Sequence, residues 1–419
     1  MDTLSSDSLD LPQEIVDQVI DDVQDDPPTL KSCSLVSRIW LPRARTHLFR
    51  EIKLLPNKEE RDSDNVENFR ARLQTLLAAT SSSRILPALT DVTRVLTIDL
   101  SRLYSSTEVL NGLLSHFPFT NLTELSLRGS PDFPFQQTPL GCHLRKNPQL
   151  VSVKLTAMMF NNIIDFLELF TKMSSHTELR SLSLGYIYMN HRPEEMRDGL
   201  KQFNLSLPSL SRHRPRLGCL QLGAVWGMPD LLTEPLFTHS HSIFDLSSLH
   251  TLDIQSFGSL GRYSGLCDAI GRNITTLKLC FGKHNLNPSP DTWTSFKKLR
   301  RLQFLILHDQ DREVITKFSQ LISQALPLLP RLQHFAFGFY FYQTPNSYDF
   351  PEPFWNDLST ELDPILAELP AKNEWLKDVT VNVPPEYNPG EETLRTFFRH
   401  AYSLGLLNFC FDVLAYPLL

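Results

Sequence analysis

The six-residue pattern apolar-x-x-apolar-x-apolar recurs down most of the chain and constrains its fold more than any other feature. Reading forward, it occurs at Val95-Ile98-Leu100, Leu122-Leu125-Leu127, Leu150-Val153-Leu155, Leu179-Leu182-Leu184, Leu217-Leu220-Leu222 and Leu249-Leu252-Ile254. It continues at Ile274-Leu277-Leu279, Leu302-Leu305-Leu307, Leu332-Phe335-Phe337, Leu376-Val379-Val381 and Leu404-Leu407-Phe409, which makes eleven copies. Successive first positions lie 27, 28, 29, 38, 32, 25, 28, 30, 44 and 28 residues apart, a spacing too regular for chance. The last two apolar residues of each copy are two apart, so they point to one side of a short strand, and that side must face a core.

Helix-like segments lie between the strands, at Ser106 to Phe117, Phe160 to Met173, Pro193 to Phe203, Asp311 to Leu326, Trp355 to Leu369 and Glu391 to Ser403. In the fourth, Val314, Ile315, Phe318, Leu321, Ile322 and Ala325 recur at three- and four-residue spacing and place one apolar stripe against the strands. One strand and one helix per unit predict an α/β solenoid. From Val92 to Val413 the chain resembles the helix-bearing leucine-rich-repeat family, which implies a horseshoe with its strands on the concave side. Members of that family often carry Asn or Cys three residues after the last strand apolar, whereas this chain has Ser130, Met158, Ile187, Val225, Phe257, Gly282, Gln310, Tyr340, Pro384 and Asp412 there. Irregular repeats are therefore expected, with loops such as Leu205 to Pro215 and Phe339 to Phe354 filling the two widest gaps.

Polar residues flanked by the inward pairs face the concave side, and Asp99, Arg128, Lys154, Gln221, Asp253, Lys278 and His308 are the candidate target-binding residues. Tyr186, Tyr188, Trp226, Phe257, Phe281, Phe339 and Tyr340 follow strands, where they either form a recognition rim or pack under loops.

Ahead of the repeats, Pro12 suits a first helical position, and Ile15, Val16, Val19, Ile20 and Val23 form one helical stripe. Leu30 to Trp40 predicts a second helix with Asp26 or Thr29 as its cap, and Leu41 to Phe49 a third. Forty residues bury too little to be comfortable alone, so part of this apolar surface awaits a partner. The segment resembles an F-box through Leu11-Pro12, Glu14, Val36-Ser37-Arg38-Ile39-Trp40 and Leu48-Phe49. Phe49 to Leu54 in turn resembles the leading strand that follows many fungal F-boxes. Together, the F-box-like segment from Leu11 to about Leu54 and the repeats make the chain similar to fungal, basidiomycete-like F-box proteins with degenerate C-terminal leucine-rich repeats. That resemblance implies docking on a Skp-type adaptor, and through it on cullin and RING subunits, by Leu11, Pro12, Ile15, Ile20, Cys33, Leu35 and Val36. Residues 1–10 are expected to be disordered, 11–54 to form the F-box, 55–91 a helical connector and first repeat cap, and 92–419 the solenoid.

Composition narrows the chemistry. Forty Lys+Arg against 47 Asp+Glu give a net charge of -7, without a basic block for phosphate or anionic lipid, so nucleic acid and membrane are not expected partners. The opening is acidic rather than basic and apolar, the Leu404 to Leu419 stretch is short and interrupted, and six scattered cysteines form no Cys-x-x-Cys pair. A reducing compartment, cytoplasmic or nuclear, is expected. Asn121, Asn204 and Asn273 match glycosylation acceptors only by chance on that view. No Gly-x-Ser-x-Gly, His-Glu-x-x-His or Gly-x-x-x-x-Gly-Lys motif occurs, and His239-Ser-His241 and Cys142-His143 lack the further ligands of a metal site. No cofactor or catalytic residue is expected. The implied role is substrate recognition in a Skp-cullin-F-box type ubiquitin ligase, with a repeat scaffold outside ubiquitin transfer as the alternative.

Overall fold

The computed structural model describes residues 11–55, 67–69, 71–72, 74–76, 78, 89–100, 119–129, 144–189, 195, 198–199, 214–223, 236–237, 242–255, 263–282, 290–308, 312–341, 352–383 and 388–411. They fall into two compact units, Met1–Met159 and Phe160–Leu419.

The first unit opens with three helices, α1 (Gln13–Asp22), α2 (Pro27–Val36) and α3 (Leu41–Leu48). Strand β1 (Glu51–Leu54) follows, then one helical turn, α4 (Leu89–Val92), and strands β2 (Val95–Asp99), β3 (Glu124–Arg128) and β4 (Ser152–Phe160). The four strands pair in parallel, with Ile52, Leu96, Leu125 and Val153 in one row and Leu54, Ile98, Leu127 and Leu155 in the next. All eight side chains are buried. This register corrects the first copy of the sequence pattern, whose strand pair is Leu96 and Ile98 rather than Ile98 and Leu100. Thr93 takes the leading apolar position, fully buried, and its hydroxyl donates to the Leu89 and Phe49 carbonyls at 2.7 and 3.1 Å. A hydroxyl satisfied in this way is tolerated where a leucine is expected. Phe49, Ile52 and Leu54 form a twelfth copy, so Glu51–Leu54 is the first strand of the ladder as well as the tail of the helical segment. Most of the 55–91 connector, and the helix expected at Ser106 to Phe117, lie outside the described residues.

The second unit begins with α5 (Ile163–Met173) and carries eight parallel strands: β5 (Ser181–Met189), β6 (Cys219–Gly223), β7 (Thr251–Gln255), β8 (Thr276–Phe281), β9 (Arg301–His308), β10 (His334–Phe341), β11 (Asp378–Asn382) and β12 (Leu407–Cys410). Helix α6 (Ser264–Ile270) precedes β8 and α7 (Pro290–Thr294) precedes β9. Helices α8 (Arg312–Ala325), α9 (Glu352–Lys372), α10 (Glu391–Phe397) and α11 (Arg399–Ser403) precede the last strands. Leu182, Leu220, Leu252, Leu277, Leu302, Phe335, Val379 and Leu407 stand in one inward row. The register also corrects the eighth copy, which is Leu299-Leu302-Phe304 and not Leu302-Leu305-Leu307.

Ahead of most strands the chain makes the same turn. The leading apolar N–H donates to the carbonyl three residues back, as in Leu179 to His176, Leu249 to Leu246, Ile274 to Gly271, Leu299 to Phe296, Leu332 to Leu329 and Leu376 to Asn373. The predicted stripe of α8 is buried at all six positions, and Phe318 packs edge-on against Phe304 and Phe339. Most of Pro193 to Phe203 and of Leu205 to Pro215 lies outside the described residues. The loop expected from Phe339 starts later, because β10 runs to Phe341.

The absent Asn ladder has a structural substitute. In β4 and β5 the backbone turns left-handed two residues past the second inward leucine, at Ala157 (φ 51°) and Tyr186 (φ 52°). That turn swings Met158 and Ile187, which occupy the family's Asn position, into the core. Buried asparagines serve instead in the turns ahead of the strands. Asn147 accepts from the Leu122 N–H and donates to the Phe119 carbonyl, both at 2.9 Å, and Asn373 donates to the Leu329 carbonyl at 3.0 Å.

Candidate functional site

Within the first unit the three helices close on a small core of Val16, Ile20, Leu30, Cys33 and Ala44, with Val23, Trp40 and Leu48 against it. Asp26 caps α2, accepting from the Thr29 N–H at 3.3 Å and hydroxyl at 2.6 Å. Asp21 takes the Arg43 guanidinium at 2.6 Å and the His47 ring at 2.7 Å. The Arg43 hydrogen bond, followed by that from His47, holds the Asp21 carboxyl down at about 2.

The predicted α1 stripe divides in two. Val16 and Ile20 face the core, while Leu11, Ile15 and Val19, at four-residue spacing, remain exposed. Leu35 and Val36 end α2 with 85% and 65% of their surface exposed, and Ile39 is exposed in the turn that follows. The Gln13 amide reaches the Ile39 carbonyl at 3.5 Å, placing the start of α1 beside that turn. Of the residues assigned to adaptor docking, Leu11, Pro12, Ile15, Leu35 and Val36 are therefore on the open surface. Ile20 and Cys33 are not. Both are buried among the helices, where their contribution is to stability. Val19 and Ile39 belong to the open face and are additions to it.

In the second unit a polar row crosses adjacent strands. Ser183, Gln221, Asp253, Lys278 and Gln303 stand in register on β5 to β9. The Ser183 hydroxyl donates to Gln221 at 2.6 Å, and the Gln221 and Gln255 amides both donate to Asp253 Oδ2, at 3.2 and 3.0 Å. The structure thus brings together three of the predicted residues, Gln221, Asp253 and Lys278, and hydrogen bonds order the first two. In the first unit Asp99 lies opposite Arg128 with their charges 3.9 Å apart, and Lys154 stands beside Ser126. His308 closes β9, displaced from the row by the corrected register, and its side chain lies outside the described residues. Phe281 and Phe339, candidates for an aromatic rim, are buried. Trp226, Phe257 and the Tyr340 side chain lie outside the described residues.

Burial pushes the Cys267 and Cys280 thiols up to about 12, so they remain protonated at neutral pH. No group of three or more metal-ligating side chains converges among the described residues. Cys142-His143 and His239-Ser-His241 lie outside them. No helix among the described residues is long and apolar enough to cross a membrane.

Parallel strands in repeat register, most of them preceded by the same turn and several by a helix, define an α/β leucine-rich-repeat solenoid protein. No family model and no curated protein matches the sequence. Among solved structures, the chain is similar to the yeast Rad7–Elc1 complex, at 14% identity over 89% of this chain and 88% of that one, with a TM-score of 0.35. It is also similar to the leucine-rich repeat-containing protein LegL7 of Legionella pneumophila, at 13% identity over 84% and 98% of the two chains, with a TM-score of 0.36. An internalin, inlF, of Listeria monocytogenes is similar at 14% identity over 86% and 98%, with a TM-score of 0.30. These likenesses are of fold, at a level that transfers no residue role.

Proposed function

We propose that this chain is the non-catalytic substrate-recognition subunit of a Skp-cullin-F-box type ubiquitin ligase. The observation that carries the proposal is the open face of α1 and α2. The helical core is already filled, yet Leu11, Ile15, Val19, Leu35, Val36 and Ile39 remain exposed on a segment of about forty residues. Surplus apolar surface on so small a unit favours a protein partner. The F-box resemblance of the same residues names that partner as a Skp-type adaptor, with cullin and RING subunits beyond it.

Binding one protein through the helices and another through the repeats raises the effective concentration of target lysines near a transferring enzyme. The chain contributes placement, so it needs no nucleophile, cofactor or metal of its own. Its place of action is the cytoplasm or nucleus, and neither nucleic acid nor membrane is a partner.

The test is capture of a purified Skp-type adaptor by the full chain. Parent protein should retain it, and Val36→Asp and Leu35→Asp should each abolish capture while circular dichroism stays unchanged. Equal capture by parent and both variants, or none by parent, rejects the reading. The pre-ordered row Ser183–Gln221–Asp253 supports a second reading, an interaction scaffold without ubiquitin transfer. Such a scaffold would hold its partner and fail to capture the adaptor.

A further inference from the structure

The repeat register assembles a cationic strip that the linear sequence disperses. In the turn into β9, Lys297, Lys298, Arg300 and Arg301 are all exposed, and the corresponding turns into β10 and β11 add exposed Arg331 and Lys377. The ladder makes these turns neighbours: the Gln333 N–H donates to the Arg300 carbonyl at 2.8 Å, and the Lys377 N–H to the Gln333 carbonyl at 2.8 Å. Lys298, Arg331 and Trp375 thus hold equivalent places on three successive turns, and Trp375 is an exposed aromatic. None of the six cations forms an ion pair among the described residues. The acidic residues of the same turns are Glu374, which is exposed, and Asp378, which pairs with His334 at 2.5 Å.

We infer that this strand-start edge of β9 to β11 binds a short acidic segment of a partner protein. Six cations gathered on a chain of net charge -7 make a local field opposite to that of the whole molecule. Three adjacent strands span about 10 Å, close to the ~8 Å screening length at physiological salt. A short acidic stretch therefore stays within reach of the strip, whereas a long polyanion extends into the repulsive field of the remaining surface. An extended chain rises about 3.3 Å per residue, so roughly three to five consecutive carboxylates match the strip. Trp375 supplies an apolar contact at its end. Naming this segment as part of the ubiquitination target rests on the receptor reading; the binding itself does not.

The experiment is fluorescence anisotropy on the full chain. Its probes are a labelled peptide carrying five consecutive Glu residues, the same peptide with Gln, and a ten-nucleotide single strand, with adaptor capture measured in parallel. The Glu peptide should bind and weaken with rising salt, and the Gln peptide should not bind. Binding should fall about tenfold in K298E/R300E/R301E and in the milder K297Q/R331Q, and should be unchanged in R145E/K146E. Absence of Glu-peptide binding, binding by both strip variants as tight as by the parent chain, or tighter binding of the oligonucleotide overturns the inference. Peptide binding by a parent chain that captures no adaptor supports the strip and removes only the receptor reading.

Discussion

Asp21 holds Arg43 through both carboxylate oxygens, each contact at 2.6 Å, so the end of the first helix is fastened to the third. The same carboxylate takes His47 at 2.7 Å, and the open apolar face lies on helices this clamp positions. Its folded pKa of about 2 lies below the ordinary 3.8, so its stabilisation is complete above the unfolded value and is lost as pH falls through the folded one. Asp21→Asn should flatten the stability curve between those two values. At neutral pH it should cost about 1 kcal/mol or less, because the side chain is partly solvated. Urea denaturation at stepped pH measures both effects, and parallel curves for parent and variant would show that the clamp contributes nothing.

Two isoleucines on one helix should behave oppositely. Ile20 is fully buried, so Ile20→Ala should destabilise the chain by about 2–4 kcal/mol. Ile15 is exposed, so Ile15→Asp should leave the urea midpoint nearly unmoved and reduce adaptor capture. A stability loss at Ile15 matching that at Ile20 would mean that both halves of the stripe are core.

This division shows where sequence reasoning stopped. Ile15, Val16, Val19 and Ile20 all satisfy helical spacing, and periodicity alone cannot choose which pair faces inward; packing against Leu30 and Ala44 decides. The strand ladder was legible because inward pairs such as Leu182 and Leu184 sit at fixed spacing. Its frame was lost at Thr93, where a satisfied hydroxyl replaces an apolar residue, and between Leu299 and Leu307, where apolar residues permit more than one frame. The alignment of Gln221, Asp253 and Lys278 followed from the repeat. Their hydrogen bonds did not, nor did the strip formed by Arg300, Arg331 and Lys377, because both depend on which turns become neighbours. The left-handed backbone at Ala157 and Tyr186 has no sequence signal, since neither is glycine.

The buried asparagines of the turns tie successive repeats together. Asn147→Ala would remove the hydrogen bonds that its side chain makes to the Leu122 N–H and the Phe119 carbonyl at a fully buried site. The expected cost is about 1–3 kcal/mol, and Asn373→Ala should lose a similar amount. Leu122 amide exchange should accelerate in the first variant. Unchanged exchange there would show that water replaces the side chain.

Two glycines should respond oppositely to the same added methyl group. A Cβ at Gly223 would lie 2.6 Å from the Gly185 Cα and 3.2 Å from the Tyr186 nitrogen, all within backbone that the left-handed turn at Tyr186 draws close. Backbone has no rotamer with which to give way, so Gly223→Ala should force β5 and β6 apart and cost about 1–3 kcal/mol. Gly265, in α6, has nothing within 4 Å of its would-be Cβ. Gly265→Ala should therefore be neutral or stabilise by up to about 1 kcal/mol through helix propensity and a less disordered unfolded chain. Chemical denaturation of the two variants beside parent separates the outcomes. A Gly223→Ala protein as stable as parent would mean that β5 and β6 do not approach as closely as this register places them.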